Sequence, residues 1–151
     1  MAKRYLEDLE PGQRYRTGSS RPISLADIQA FAREYDPQPF HLDPEAAKAT
    51  VFGELVASGW HTMGITMRLI VEGETQLAWG FAGAGAEALD WPNPVRPGDV
   101  LTAENEVLEV RPSRSKPDRG MARIRTTAYN QRGEPVLVVT AKVIVPKRNP
   151  G

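Results

Sequence analysis

The sequence predicts an α+β domain in which an antiparallel sheet curls around one long helix. Three observations carry this. Helical periodicity is confined to the first half of the chain, an almost uncharged apolar helix occupies the middle, and alternating strands run to the C-terminus. The 151 residues are enough for one domain with a real core and too few for two comfortable ones, so residues 1–151 are read as a single domain.

Taken in order, residues 10–18, EPGQRYRTG, read as a turn leading into a short strand. A helix follows. Ser24 is a good N-cap, and Asp27 sits at N3 in a capping-box-like pattern. Ile28, Phe31, Ala32 and Tyr35 recur at helical spacing, and Pro37 ends the helix by pushing the residue before it out of helical geometry. A second, short helix is expected with Asp43 as N-cap and Pro44 at its first position. After a glycine-containing connection, VFGELVASG, a longer helix runs from Ser58 to about Glu72. Trp60, Met63, Ile65, Met67, Leu69, Ile70 and Val71 make it apolar around much of its circumference, so it is expected to be buried. Strands are expected within Leu77 to Trp91, then over 100–110, 122–129 and 136–145. NQRG, 130–133, reads as the hairpin turn between the last two, and RPSRSKPDRG, 111–120, as the long loop before them.

Composition excludes several functions. Lys plus Arg and Asp plus Glu balance at 19 each, which argues against a nucleic-acid binder and against attraction to an anionic membrane. With no cysteine there is no disulfide framework, thiolate nucleophile or cysteine-ligated metal. The N-terminal MAKRYLEDLEPGQ lacks the apolar stretch of a signal peptide, and no apolar run is long enough to span a bilayer. A soluble cytoplasmic protein is expected.

One of the two histidines lies in YDPQPFHLDPEAA, residues 35–47. Pro37 and Pro39 fix their own φ and restrain Asp36 and Gln38, so the segment reads as a stiff extended bend. Such a bend can hold Asp36 and His41 together with little entropy left to lose, and a carboxylate and an imidazole aimed at one point can polarise a water. On the residues alone, Asp36 as a helix cap and His41 as a packed loop histidine are equally available.

The segment resembles the hydratase motif of the MaoC-like dehydratases, the family of R-specific enoyl-CoA hydratases, through Asp36, Gln38, Pro39, Phe40, His41, Asp43, Pro44, Ala46 and Ala47. VASGWHT (56–62), PVRPGDVL (94–101) and NQRGEPVLVVTAKVIVP resemble further blocks of the family, so the likeness spans nearly the whole chain. It implies the hotdog fold, a curved antiparallel sheet wrapped around a long central helix, assembled as a homodimer or a dimer of dimers. It also implies addition of water to a 2-enoyl thioester, or the reverse. Coenzyme A enters as part of the substrate, with no separate cofactor and no metal. Asp36 and His41 would hold the water. Gly59 matches the glycine whose backbone N–H binds the thioester carbonyl, at a helix N-terminus that favours negative charge and without a Cβ to obstruct a ligand. Ser58, Trp60 and His61 are the neighbouring candidates for substrate contact. Two positions depart from the pattern: Met67 stands where some members carry a serine, and Val51 stands where a glycine is usual.

Three features stay open at this stage. His61 is either a substrate contact or a partly buried histidine with a partner. The basic loop with Arg111, Arg114, Lys116 and Arg119 either meets coenzyme A phosphates or is solvated. Trp79 and Trp91 flank a glycine-rich strand whose small residues leave room either for an acyl chain or for close packing. The rival functions are a hotdog thioesterase, which usually carries a carboxylate on the central helix where this chain has only Glu72, and a non-catalytic acyl-CoA-binding protein.

Overall fold

The computed structural model describes residues 2–149. After a 3-10 turn at Leu6–Asp8 come strand β1, Arg14–Arg16, and helix α1, Leu25–Tyr35. The short helices α2, Pro39–Leu42, and α3, Pro44–Ala47, follow, then the long helix α4, Gly59–Glu72. Four strands complete the chain: β2, Ala82–Asp90; β3, Thr102–Pro112; β4, Arg119–Tyr129; and β5, Pro135–Pro146. They form one antiparallel sheet in the order β1-β3-β4-β5-β2.

The caps fall where the side chains predict. The Ser24 hydroxyl accepts the Asp27 N–H at 3.0 Å, Asp43 accepts the Glu45 N–H, and Ser58 accepts the Trp60 N–H. The β4–β5 turn is NQRG, with Gly133 at φ +78° and its N–H on the Asn130 carbonyl. The strands run further than expected. β3 extends to Pro112 and β4 begins at Arg119, so the loop between them is only 113–118. The earlier strand shrinks to Ala82–Asp90.

Strand β4 shows why α4 can lie across the sheet. Gly120, Ala122, Ile124, Thr126 and Ala128 alternate inward. Together with Ala103 of β3 they present a floor of mostly small side chains. Leu69 of α4, Val136, Leu137 and Val139 of β5, and Leu101, Val95 and Ile28 pack at its Ala103/Ala128 end, whereas Ala122 and Ile124 pack with Leu6, Leu9, Tyr15 and Leu77 in a second cluster. A buried polar link runs beneath: Thr126 donates to Asn105 Oδ1, and Asn105 Nδ2 donates to Thr75. Pairing all three avoids the cost of orphaned polar groups in the core.

Burial of α4 differs from the expectation. Thr62, Thr66, Leu69 and Ile70 face the sheet, but Trp60 and Val71 are each 58% exposed, on one face with exposed Gly64 and half-buried Met67. A helix rich in apolar residues has two apolar faces here, and the sheet covers one. The edge strand β2 is similarly open. Its small residues are mostly exposed, and its pairing with β5 slips at Gly83/Gly85 and at Ala86/Ala88.

Candidate active site

Helix α1 ends at Tyr35, and Asp36 turns away at φ −153° while still donating its N–H to Ala32. The expected extended bend is tighter in fact. The Gln38 N–H closes on the Asp36 carbonyl at 2.7 Å, Pro39 opens α2, and the His41 N–H reaches the Gln38 carbonyl. The prolines force only residues 36 and 38 out of helical geometry, whereas Pro39 itself is preset for a first helical position. One helical turn then swings His41 back over Asp36. Its Nε2 lies 3.2 Å from Asp36 Oδ2, and both side chains are largely buried.

The other ring nitrogen fixes the chemistry. Nδ1 donates to the Val56 carbonyl at 2.7 Å, and the Val56 N–H donates to the Phe40 carbonyl at 2.9 Å. A carbonyl only accepts, so Nδ1 carries the proton. In the neutral ring, Nε2 is then an acceptor facing a second acceptor, the Asp36 carboxylate. Two acceptors this close converge on one donor with two hydrogens, such as water. Burial, the largest single influence, pushes the Asp36 carboxyl up. Hydrogen bonds from Gln38 and Ser58 and the nearby His41 together outweigh it and hold the group below the usual aspartate value, hence ionised at neutral pH.

The pair opens into a cleft of about 360 Å³, walled by Phe52, Val56, Trp60, Trp91, Val95 and Val136. Gly59 and Trp60 line it too. As the first residue of α4, Gly59 has an N–H without an intrahelical acceptor. Its missing Cβ, however, does not leave open room for a ligand: the Trp91 indole fills that space. Ser58 is fully buried beneath the cleft, where its hydroxyl serves the Trp60 N–H and Asp36; it is inaccessible to substrate. His61 points elsewhere. It stacks on Phe31 of α1 and lines a separate cavity of about 510 Å³ between α1 and α4. Its Nδ1 is buried without a partner, and desolvation holds the ring below the usual histidine value, against a weaker opposing pull from Asp27.

Two contributors were not legible as site residues. Val56 acts through its backbone, which no side-chain pattern reports. Trp91 lies far along the chain, and the sequence marks it only, with Trp79, as a flank of the glycine-rich strand. Much of the basic loop is internally neutralised: Arg111 pairs with Glu109, and Arg119 pairs with Asp118 while lying over the Trp79 ring. Among the described residues no group of three or more His, Cys, Asp or Glu is placed to hold a metal ion, and no helix is long and apolar enough to cross a membrane.

Comparison with known proteins places this geometry. The family model of the MaoC like domain matches residues 7–130. A 3-hydroxybutyryl-CoA dehydratase of Methylorubrum extorquens is 33% identical over 145 residues, covering 95% of this chain and 85% of the relative. An (R)-specific enoyl-CoA hydratase of Aeromonas caviae is 31% identical over 140 residues, covering 92% and 96%. The crystal structure of a MaoC-like dehydratase from Rhodospirillum rubrum superimposes with a TM-score of 0.91 at 53% identity, over 96% of this chain and 98% of that one. The five-stranded sheet with its central helix is the hotdog fold. The chain belongs to the MaoC-like dehydratase family.

Proposed function

We propose that the protein adds water across the double bond of a 2-enoyl-CoA thioester, or removes it from the 3-hydroxyacyl thioester. The observation that carries this is the pair of acceptors, Asp36 Oδ2 and His41 Nε2, 3.2 Å apart at the head of α4. Water held by both attacks the β-carbon and gives up one proton to the pair. The π electrons move toward the thioester oxygen, where the Gly59 N–H and the helix dipole stabilise the developing charge. A proton from the pair then reaches the α-carbon, so the net change is addition of H and OH. No resident cofactor or metal enters this scheme.

Relatives at about 30% identity, which are named for CoA esters, support this substrate class. The thioesterase reading is disfavoured by Glu72. It lies in the last turn of α4, about 20 Å from Gly59 at 1.5 Å per residue, and pairs with Arg68. The working unit is a homodimer. The exposed face of α4 with Trp60, Met67 and Val71, together with the open edge strand β2, is the surface a second copy would cover.

The test follows absorbance of the enoyl-thioester band with crotonyl-CoA and a longer enoyl-CoA, with free thiol measured in parallel. Loss of the band without thiol release, abolished by Asp36→Asn, is expected. Thiol release would point to the thioesterase, and binding without turnover to a non-catalytic acyl-CoA-binding role. Sedimentation should give a dimer, and Val71→Glu should shift it toward monomer.

A further inference from the structure

The segment leading into α4 is stitched on both sides. On one side, Val56 is bonded to Phe40 and His41 of the catalytic turn. On the other runs the stretch from Trp91 to Arg96, antiparallel to it. The Arg96 guanidinium pairs with Glu54 at 2.9 Å, the Ala57 N–H donates to the Val95 carbonyl at 2.8 Å, and the Trp91 indole N–H donates to the Gly59 carbonyl at 3.0 Å. Pro92 and Pro94 stiffen this strap, and the Asn93 side chain ties it to the Pro135 carbonyl. At its upper end, the indole lies against the Cα of Gly59. A Cβ built there falls within 2.8 Å of three ring atoms, Cε2, Nε1 and Cζ2. The outer side of the ring meets Trp60 edge-on, 5.3 Å between centroids, and faces the cleft.

We infer that Trp91 is a positioning residue for the Asp36/His41 site. Its indole fills the space a side chain at 59 would need, and its N–H holds the Gly59 carbonyl. The first turn of α4, and with it the Gly59 N–H, is thereby set at a fixed place relative to the catalytic turn. Residue 59 is a glycine because Trp91 packs on it. The positioning half rests on the hydratase reading above; the packing half does not.

The consequences separate cleanly. Trp91→Ala removes ring and donor, and about a tenfold or greater fall in kcat is expected with KM changed less than about threefold, since small misplacements act on the transition state more than on binding. Trp91→Phe keeps a ring over Gly59 but drops the N–H; it should recover part of kcat. The packing is read by melting temperature. Gly59→Ala should lower Tm clearly in the native background and little in Trp91→Ala, because the Cβ then has room. Equal Tm losses in the two backgrounds would overturn the packing role and return Gly59 to a ligand-approach function. Unchanged kcat in Trp91→Ala, or a loss confined to KM, would overturn the positioning role. A native protein inactive on every enoyl thioester would remove the hydratase reading and the positioning role together, while the melting cycle would still decide the packing.

Discussion

The two histidines make an informative pair. Both sit within a turn of a helix start, and both touch a phenylalanine: His41 edge-on to Phe40 at 4.6 Å, His61 stacked on Phe31 at 4.8 Å. They differ in what their ring nitrogens meet. His41 has a carbonyl on one side and a carboxylate on the other, so its tautomer and direction are fixed. His61 has a buried nitrogen with no partner and faces the wrong cavity. A histidine becomes a candidate base through its two partners, not through burial or aromatic contact.

The largest expected effect tests that difference directly. Asp36→Asn and His41→Ala should each lower kcat/KM by roughly 10²–10⁴-fold, the usual range for a positioned acid or base. The double variant should be little worse than either, because the two act as a unit. His61→Phe should change kcat/KM less than about threefold. Additive losses at 36 and 41, or a large loss at 61, would undo the contrast between the two histidines.

A smaller effect concerns the acid limb of the pH profile. The Gln38 amide helps hold the Asp36 carboxyl down. In Gln38→Ala that pull is gone, the carboxyl rises, and the acid limb of kcat/KM should move to higher pH. An unmoved limb would mean that another group governs it.

The two serine caps sharpen the point. Ser24→Ala and Ser58→Ala should each destabilise by about 1 kcal/mol in denaturant unfolding. Only Ser58→Ala should also move the acid limb, because of the two serines only Ser58 helps hold the Asp36 carboxyl down.

The subtlest effect is on stability. His61 has its folded value depressed, so below about 6.5 the unfolded chain binds more protons at this group. Its contribution to stability is lost as pH falls from there toward the folded value. Asp36, also depressed, loses its contribution lower, as pH falls from about 3.9 through its folded value. His61→Phe should therefore flatten the upper part of a Tm-against-pH curve and leave the lower part.

By itself the sequence determined what depends on neighbours a few residues apart. Ser24, Asp43 and Ser58 cap their helices, Pro37 stops α1, Asn130 to Gly133 turn the hairpin, and Asp36 and His41 meet because only four residues separate them. Such contacts close short loops, and a pattern of residue types suffices to read them. Tertiary structure alone decided the rest. It determined which apolar face of α4 the sheet covers, sank Ser58 beneath the cleft, turned His61 toward α1, and brought Trp91 across 32 residues onto Gly59. Each of those depends on where distant segments pack, and an apolar or small residue reads the same in sequence whichever neighbour finally covers it.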